Sequence, residues 1–333
     1  MTRGTGEHRD PAADHRIQPV NRPEPGPIAV LPNASSVFVD AVVAGGGTVG
    51  PLSEATRGIV WLSETRSDEL ATVLDAHPGV QWVQLPWAGV DAFAGILARF
   101  ADRPFPLWTS AKGAYSEPVA EHTLALTLAL LRHLPQKSRT ATWMASPKTG
   151  TSLFGLDVVL IGAGGIAREI IRLFSVFDVR ITVVRRSAEP LDGAHATVTA
   201  AELARVLPGA DVVIIAAAST GETAQLIGAE ELRLMKPSAV LVNIARGALI
   251  DTDALVRALA DGEIAGAGLD VTDPEPLPDG HALWSAFNCL VTSHSADTPE
   301  MTAPLLAGRI RLNVEAFRGT AGFVGVVDPV AGY

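Results

Sequence analysis

A chain of 333 residues is too long for one ordinary hydrophobic core and suits two domains of roughly 100–200 residues each, an arrangement that implies a cleft. Its 47% apolar residues supply packed cores, while a formal charge of −10 with scattered Lys and Arg argues against the basic stripe that nucleic acid requires. Cys289 stands alone, so no disulfide or cysteine metal cluster can form within the chain, no metal site is expected, and a cytoplasmic setting is the default.

Residues 1–26 are rich in Pro, Gly, Arg and Asp and nearly free of large apolar side chains, so they read as a disordered extension without the apolar core of a signal peptide. From Pro27 onward, short β-rich runs alternate with helical stretches. Strands are expected at 28–31, 59–62, 82–85 and 107–109, which together read as a small α/β layer domain. Residues 117–134 are apolar nearly all round and suit a buried helix. Glu117, Glu121, His122, Arg132 and His133 argue against a membrane span there, and no other apolar run reaches the roughly 18–20 residues a bilayer needs.

The second half repeats a stronger cycle, with strands expected at 158–161, 181–184, 212–216, 240–244, 268–271 and 290–292. Several are unbroken apolar runs, the mark of strands buried on both faces, and helical segments lie between most of them. One such segment repeats Ile166, Ile170, Leu173, Phe174 and Phe177 on one face. The pattern predicts a parallel, doubly wound sheet. A last helical stretch, 301–319, is expected to cross back onto the first domain.

Between the first strand and first helix of that sheet stands Gly162-Ala163-Gly164-Gly165-Ile166-Ala167, a G-x-G-x-x-A loop. Its first glycine permits the tight turn, its second lets the backbone approach a pyrophosphate, and Ala167 allows close helix–strand packing. The helix N-terminus then holds the anion. Where a dinucleotide site selective for NAD places a carboxylate, at the end of the next strand, this chain has Arg185-Arg186-Ser187, and no carboxylate follows until Glu189. A guanidinium with a neighbouring hydroxyl suits a 2′-phosphate, so NADP(H) is the expected cofactor, with NAD(H) also admitted.

Segments 119–132, 153–167, 234–251, 266–278 and 292–298 resemble, in order and spacing, the D-isomer-specific 2-hydroxyacid dehydrogenases, the family of glyoxylate/hydroxypyruvate reductases. The similarity covers nearly all of 27–319. It implies a two-domain α/β protein: a Rossmann cofactor domain over 116–301, and a smaller flavodoxin-like substrate domain over 27–115 with 302–333. The resemblance places the catalytic arginine at Arg246 of Asn243-Ile244-Ala245-Arg246-Gly247, the acid at Glu275 of Asp273-Pro274-Glu275-Pro276-Leu277, and the histidine at His294. Reducing a 2-oxo acid needs a hydride at the carbonyl carbon and a proton at its oxygen. On this reading His294 delivers the proton, Glu275 favours and orients the imidazolium, and Arg246 binds the substrate carboxylate. Ala217, Ala245, Asp270 and His294 are implied cofactor contacts alongside the glycine loop. His77, His122, His133, His195 and His281 read as structural or surface residues.

In the first domain, Leu85-Pro86-Trp87-Ala88-Gly89 is similar to the family's substrate loop, which makes Ala88 and Gly89 main-chain donors to the substrate, and Lys112 or Tyr115 enters from a second loop. Ser293 stands where the family commonly has proline, a departure expected to loosen the histidine loop. Glu275 in place of glutamine tells against a formate dehydrogenase. The resemblance also implies a homodimer with Trp143 and segment 136–152 at the interface, and hinges near Ser116 and Asp297. The expected activity is hydride transfer to a small 2-oxo acid or from a 2-hydroxy acid. Oxidation of a specialised D-2-hydroxy acid in a biosynthetic pathway, and a nucleotide-sensing role like that of corepressors of this fold, stand as alternatives.

Overall fold

The computed structural model describes residues 16–143 and 148–330. In chain order it runs β1 (Ile28–Leu31), α1 (Ser36–Ala44), β2 (Gly58–Trp61), α2 (Ser67–Ala76), β3 (Trp82–Gln84), α3 (Ala94–Arg99), β4 (Leu107–Thr109), α4 (Ser116–Leu131) and α5 (Leu134–Lys137). Then come β5 (Asp157–Ile161), α6 (Gly165–Phe174), β6 (Arg180–Arg185), β7 (Ala196–Thr199), α7 (Leu203–Val206), β8 (Val212–Ile215), α8 (Ala229–Leu234), β9 (Val240–Asn243), α9 (Thr252–Asp261), β10 (Gly266–Leu269), β11 (Cys289–Val291) and α10 (Pro299–Phe317). The chain divides into two units, Met1–Glu117 with Thr298–Tyr333, and Pro118–Asp297. No helix among the described residues is long and apolar enough to cross a membrane.

The first unit is built on a parallel sheet in the order β1-β2-β3-β4. A parallel bridge from Ile28 to Val49 adds a rudimentary strand beyond β1, so the order counted in sequence is 2-1-3-4-5, that of the flavodoxin-like fold. Trp61, Val83, Leu85, Phe93 and Trp108 form a buried core. Trp82 meets Phe317 of α10 at 5.1 Å and Phe323 at 6.2 Å. Several buried polar groups there are paired: Trp82 Nε1 donates to Thr109 Oγ1 at 2.9 Å, and Asn313 Nδ2 of α10 donates to Gln84 Oε1 at 2.7 Å, whereas the ring nitrogens of Trp61 and Trp108 are buried without a partner. Helix α10 thus returns the chain's last stretch onto the first unit's sheet.

Residues 1–15, part of the expected disordered extension, lie outside the described residues. Residues 16–26 depart from that expectation. Ile17 exchanges both main-chain hydrogen bonds with Phe323 at 2.8 Å, Arg22 Nη2 donates to the carbonyls of Ala316 and Ala321 at 3.0 Å, and the Glu24 amide donates to Gln81 Oε1 at 2.6 Å. Backbone pairing and one guanidinium anchor this segment, and neither leaves an apolar period in the sequence.

The second unit carries seven parallel strands in the order β11-β10-β9-β8-β5-β6-β7. This is the doubly wound Rossmann order with one strand added at the edge. The expected strands recur within a few residues, with one addition. Edge strand β7 was not foreseen: only Val198 of its four residues is buried, so it lacks the apolar run that marks the central strands. Strand β10 begins two residues earlier than expected, at two glycines that sequence alone disfavours in a strand. The structure supplies the reason for one of them: a Cβ on Gly268 would lie 3.2 Å from Leu126 and Leu130 of α4, so the helix rests directly on that strand. Helix α4 ends earlier than expected, the chain turning at His133 with φ of 54°. The expected subunit interface, 136–152, includes residues 144–147, which lie outside the described residues; Trp143 is 94% exposed.

Candidate active site

Every candidate residue of the second unit lies at or after the carboxyl end of a parallel strand. The register aligns Ile161 with both Val184 and Ile215, Ile215 with Asn243, and Asn243 with Leu269, so the loops that follow open along one edge of the sheet. In an open α/β sheet that edge is where ligands bind, at the point where strand order reverses. Here the reversal lies between β5 and β8.

Gly162 leaves β5 with φ of 116°, and a Cβ there would collide with the Ala216 carbonyl at the end of β8. Only glycine permits that turn. Gly164 caps α6 without any side-chain hydrogen bond, and a Cβ at Gly164 would meet open space. Ala167, wholly buried, lets α6 seat against the sheet. The N–H groups of the first turn, Gly165 and Ile166 among them, therefore face an uncluttered approach that suits a phosphate group. Arg185 closes β6 half-buried, opposite Thr199, with Arg186 exposed and Ser187 half-buried beyond it. Ala163, Ala217 and Ala245 are small residues at this same edge.

Arg246 follows β9 in extended conformation. Its turn is held by Asn243, whose Oδ1 accepts from the Ala245 amide at 3.0 Å and whose Nδ2 donates to the Arg246 carbonyl at 2.9 Å. Wholly buried Asn243 is thus the reason an asparagine opens the N-x-A-R-G run. Gly247 lets this turn lie against the next loop, because a Cβ there would strike the Thr272 carbonyl. That next loop carries Glu275, and Oε1 of Glu275 lies 2.6 Å from Nδ1 of His294. With Nδ1 engaged, Nε2 of His294 is left as the ring's other proton-carrying atom.

The loop that presents His294 is wrapped around Asp270, whose side chain is only 2% exposed. The His294 amide donates to the Asp270 carbonyl at 2.6 Å; Oδ1 accepts from Thr292 Oγ1 at 2.6 Å and from the Ser295 amide at 2.9 Å, and Oδ2 accepts from the Ala296 amide at 3.2 Å. The cofactor contact expected of Asp270 therefore meets a carboxylate whose two oxygens already accept bonds from its own chain. Ser293 and His294 both lie in the left-handed region, with φ of 50° and 52°. Proline cannot adopt such a torsion, so the serine at 293 belongs to a loop with its own path rather than to a loosened version of a proline loop.

His122 of α4, read as structural from sequence, reaches this loop: Nε2 lies 2.9 Å from Thr292 Oγ1. No local signal marks it, since its partner is 170 residues away. Asp297 follows the loop; burial pushes its carboxyl up to about 6, the charge of Asp270 adds to the rise, and His294 and Arg246 oppose it.

In the first unit, Ala88 and Gly89 lie half-buried in the loop after β3 and Lys112 is exposed in the loop after β4. The Ala111 amide donates to the Trp87 carbonyl at 3.0 Å, joining the two loops. Tyr115, a candidate substrate contact by sequence, is 4% exposed, donates its hydroxyl to the Pro86 carbonyl at 2.6 Å and packs edge-on against Trp87 at 5.9 Å. It braces the loop from inside. Arg309 of α10, 1% exposed, donates to the carbonyls of Ser110 at 2.7 Å and Lys112 at 2.9 Å.

A glycine turn opening a helix and an imidazole–carboxylate pair stand along one edge of the parallel sheet, and comparison with known proteins gives the class of the protein. The family described as D-isomer specific 2-hydroxyacid dehydrogenase, NAD binding domain, matches residues 124–296. An uncharacterized protein in the proB 3′ region of Corynebacterium melassecola is 39% identical over 264 residues, 78% of this chain and 86% of that one. A glyoxylate reductase of Pyrococcus furiosus is 34% identical over 220 residues, 63% of this chain and 65% of that one. Among solved structures, an NADPH-dependent glyoxylate/hydroxypyruvate reductase from Sinorhizobium meliloti, in complex with citrate, superposes with a TM-score of 0.72 at 27% identity, covering 91% of this chain and 97% of that one. The chain belongs to the D-isomer specific 2-hydroxyacid dehydrogenase family, and is an NAD(P)-dependent oxidoreductase acting on CH–OH groups.

Proposed function

We propose that this protein reduces a small 2-oxo acid of the glyoxylate or hydroxypyruvate class, using NADP(H) in preference to NAD(H). The observation that carries the reading is the His294–Glu275 pair, 2.6 Å between Nδ1 and Oε1, on the same sheet edge as the Gly162–Ile166 loop. The nicotinamide supplies the hydride in reduction and accepts it in oxidation. Gly162, Ala163, Gly164, Gly165 and Ile166 hold its pyrophosphate, and Ala217, Ala245 and Asp270 line its approach. Arg185, with Arg186 and Ser187, binds the 2′-phosphate through guanidinium and hydroxyl donors.

His294 gives a proton from Nε2 to the substrate's carbonyl oxygen as that oxygen gains charge, and takes it back in the reverse direction. Glu275 fixes the ring through Nδ1 and balances the imidazolium's charge. Arg246 grips the substrate carboxylate and polarises the carbonyl beside it. In the first unit, the amides of Ala88 and Gly89 and the Lys112 ammonium are the groups proposed to bind the acid. The names of relatives support the substrate class: the Pyrococcus protein is called a glyoxylate reductase, and the Sinorhizobium one an NADPH-dependent glyoxylate/hydroxypyruvate reductase.

The test is consumption of NADPH and of NADH, followed by absorbance, against a panel of 2-oxo acids for the wild type and His294→Ala. Turnover of glyoxylate or hydroxypyruvate, lost in the variant, supports the reading. Nucleotide binding without turnover of any acid overturns it.

A further inference from the structure

We propose that His122 is a positioning residue for His294, acting through Thr292 and Asp270. The inference rests on the function proposed above and adds to it a side chain whose contacts run to Thr292 and Asp270.

The chain of contacts is short and its donors can be assigned. Asp270 Oδ1 accepts from the Ser295 amide at 2.9 Å and from the Thr292 hydroxyl at 2.6 Å, and the second bond consumes that hydroxyl's single proton. The 2.9 Å bond between Thr292 Oγ1 and His122 Nε2 then needs its proton from the imidazole, which makes His122 the donor through Nε2–H. The same Nε2 lies 3.5 Å from Asp270 Oδ1. A carboxylate 2% exposed has lost almost all of its water and depends on such donors.

Asp270 is also the template of the acid loop. Its backbone carbonyl receives the His294 amide, and its two carboxylate oxygens receive the amides of Ser295 and Ala296. The Ser295 hydroxyl closes back on the Thr292 carbonyl. These bonds hold Ser293 and His294 in the left-handed region, which a residue with a Cβ occupies only against a steric cost. A loop held against that cost relaxes when its template shifts. Removing the His122 donor leaves Thr292 free to rotate away from Asp270 and releases the segment that sets the direction of the His294 ring. His122 stands on α4, whose Leu126 and Leu130 press on Gly268 two residues before Asp270. The donor and its target are thereby carried on two elements packed directly together.

A purely structural histidine and a positioning one predict different losses. If His122 only fills space, a variant melts at lower temperature while the folded enzyme turns over as before. If it positions His294, kcat falls in fully folded protein, the KM for NADPH holds, and a side chain with an equivalent donor restores the rate. The variants are His122→Phe, which removes the donor, His122→Gln, whose amide nitrogen reaches a similar point, and Thr292→Val, which cuts the relay while keeping the volume.

The full-length protein is assayed with NADPH and the best 2-oxo acid of the panel, alongside thermal melts and the NMR resonance of the His294 Nδ1 proton. The expected result is a kcat lower by roughly 10- to 100-fold in His122→Phe and Thr292→Val, the scale of a misaligned reacting group. His122→Gln recovers most of it, and the Nδ1 proton resonance moves or broadens in the two damaged variants only. Unchanged kcat in folded His122→Phe or Thr292→Val overturns the proposal, as does a His122→Gln variant no better than His122→Phe. A wild type inactive on every 2-oxo acid counts against the proposed function instead, and the NMR resonance then still decides whether His122 orders the loop.

Discussion

Glu275 and His294 meet at 2.6 Å with side chains that keep 41% and 47% of their exposure, so the pair faces outward from the sheet edge rather than into a core. An exposed ion pair contributes little to folding. Its retention of so short a contact points to orientation of the ring, not to stability. Replacement of Glu275 by Gln keeps a hydrogen-bond partner for Nδ1 and removes the charge. The expected outcome is a kcat for reduction lower by roughly 100-fold, with the melting temperature nearly unchanged. Steady-state kinetics and calorimetry on the same preparation check both halves.

Arg185 ends β6 where a carboxylate would favour NAD. For Arg185→Asp, the ratio of NADPH to NADH preference, measured as kcat/KM, should fall by about tenfold or more, since a charge-assisted hydrogen bond is exchanged for repulsion. Equal preference in the wild type would remove the basis for assigning this strand end to the 2′-phosphate.

Asp297 gives a pH dependence with a definite sign. Burial raises its carboxyl from 3.8 to about 6, so between those values the folded protein holds a proton that the unfolded chain has released. Folding stability from this group therefore declines as pH rises through that window, and the full cost is present above it. Asp297→Asn is expected to raise the melting temperature at pH 7 and above and to bring no gain near pH 4. A gain of equal size at both pH values would show that charge is not the cause.

Arg309 supports the Lys112 loop from beneath, and its replacement by Met leaves the carbonyls of Ser110 and Lys112 short of a donor. A loss of about 2–4 kcal/mol in urea unfolding is expected. The KM for the 2-oxo acid should rise more than that for NADPH. Equal rises in the two would remove the link between Arg309 and the substrate loop.

Ser293 offers a paired test of backbone torsion. Ser293→Gly relieves a left-handed residue and should add on the order of 1 kcal/mol, while Ser293→Pro, locked near a φ of −65°, should destabilise by more than about 1 kcal/mol and depress kcat. Chemical denaturation of both variants beside the wild type distinguishes a strained loop from a slack one.

What could be read from sequence were the features whose cause is local. The central strands announce themselves because burial on both faces demands unbroken runs such as Val212–Ile215, and the Gly162 turn because only glycine permits it. Strand β7 was missed because an edge position asks little of its residues. The tie of residues 16–26 was missed because main-chain hydrogen bonds carry no side-chain signature. His122 and Arg309 escaped for another reason: each acts on carbonyls or hydroxyls more than a hundred residues away, at 170 residues from Thr292 and 199 from Ser110, and nothing near them in the chain reports it. Asn243 lay in plain view within its motif, but its two hydrogen bonds to the turn appear only in three dimensions.

The left-handed torsion at Ser293 also bears on how such a protein can change over generations. A chain with proline at this point must route its histidine loop differently, so exchanging that one residue would bring a side chain into a path it cannot follow. Several neighbours would have to alter first. Exchange at this one position is therefore coupled, through the shared path of the loop, to the residues that bond to Asp270.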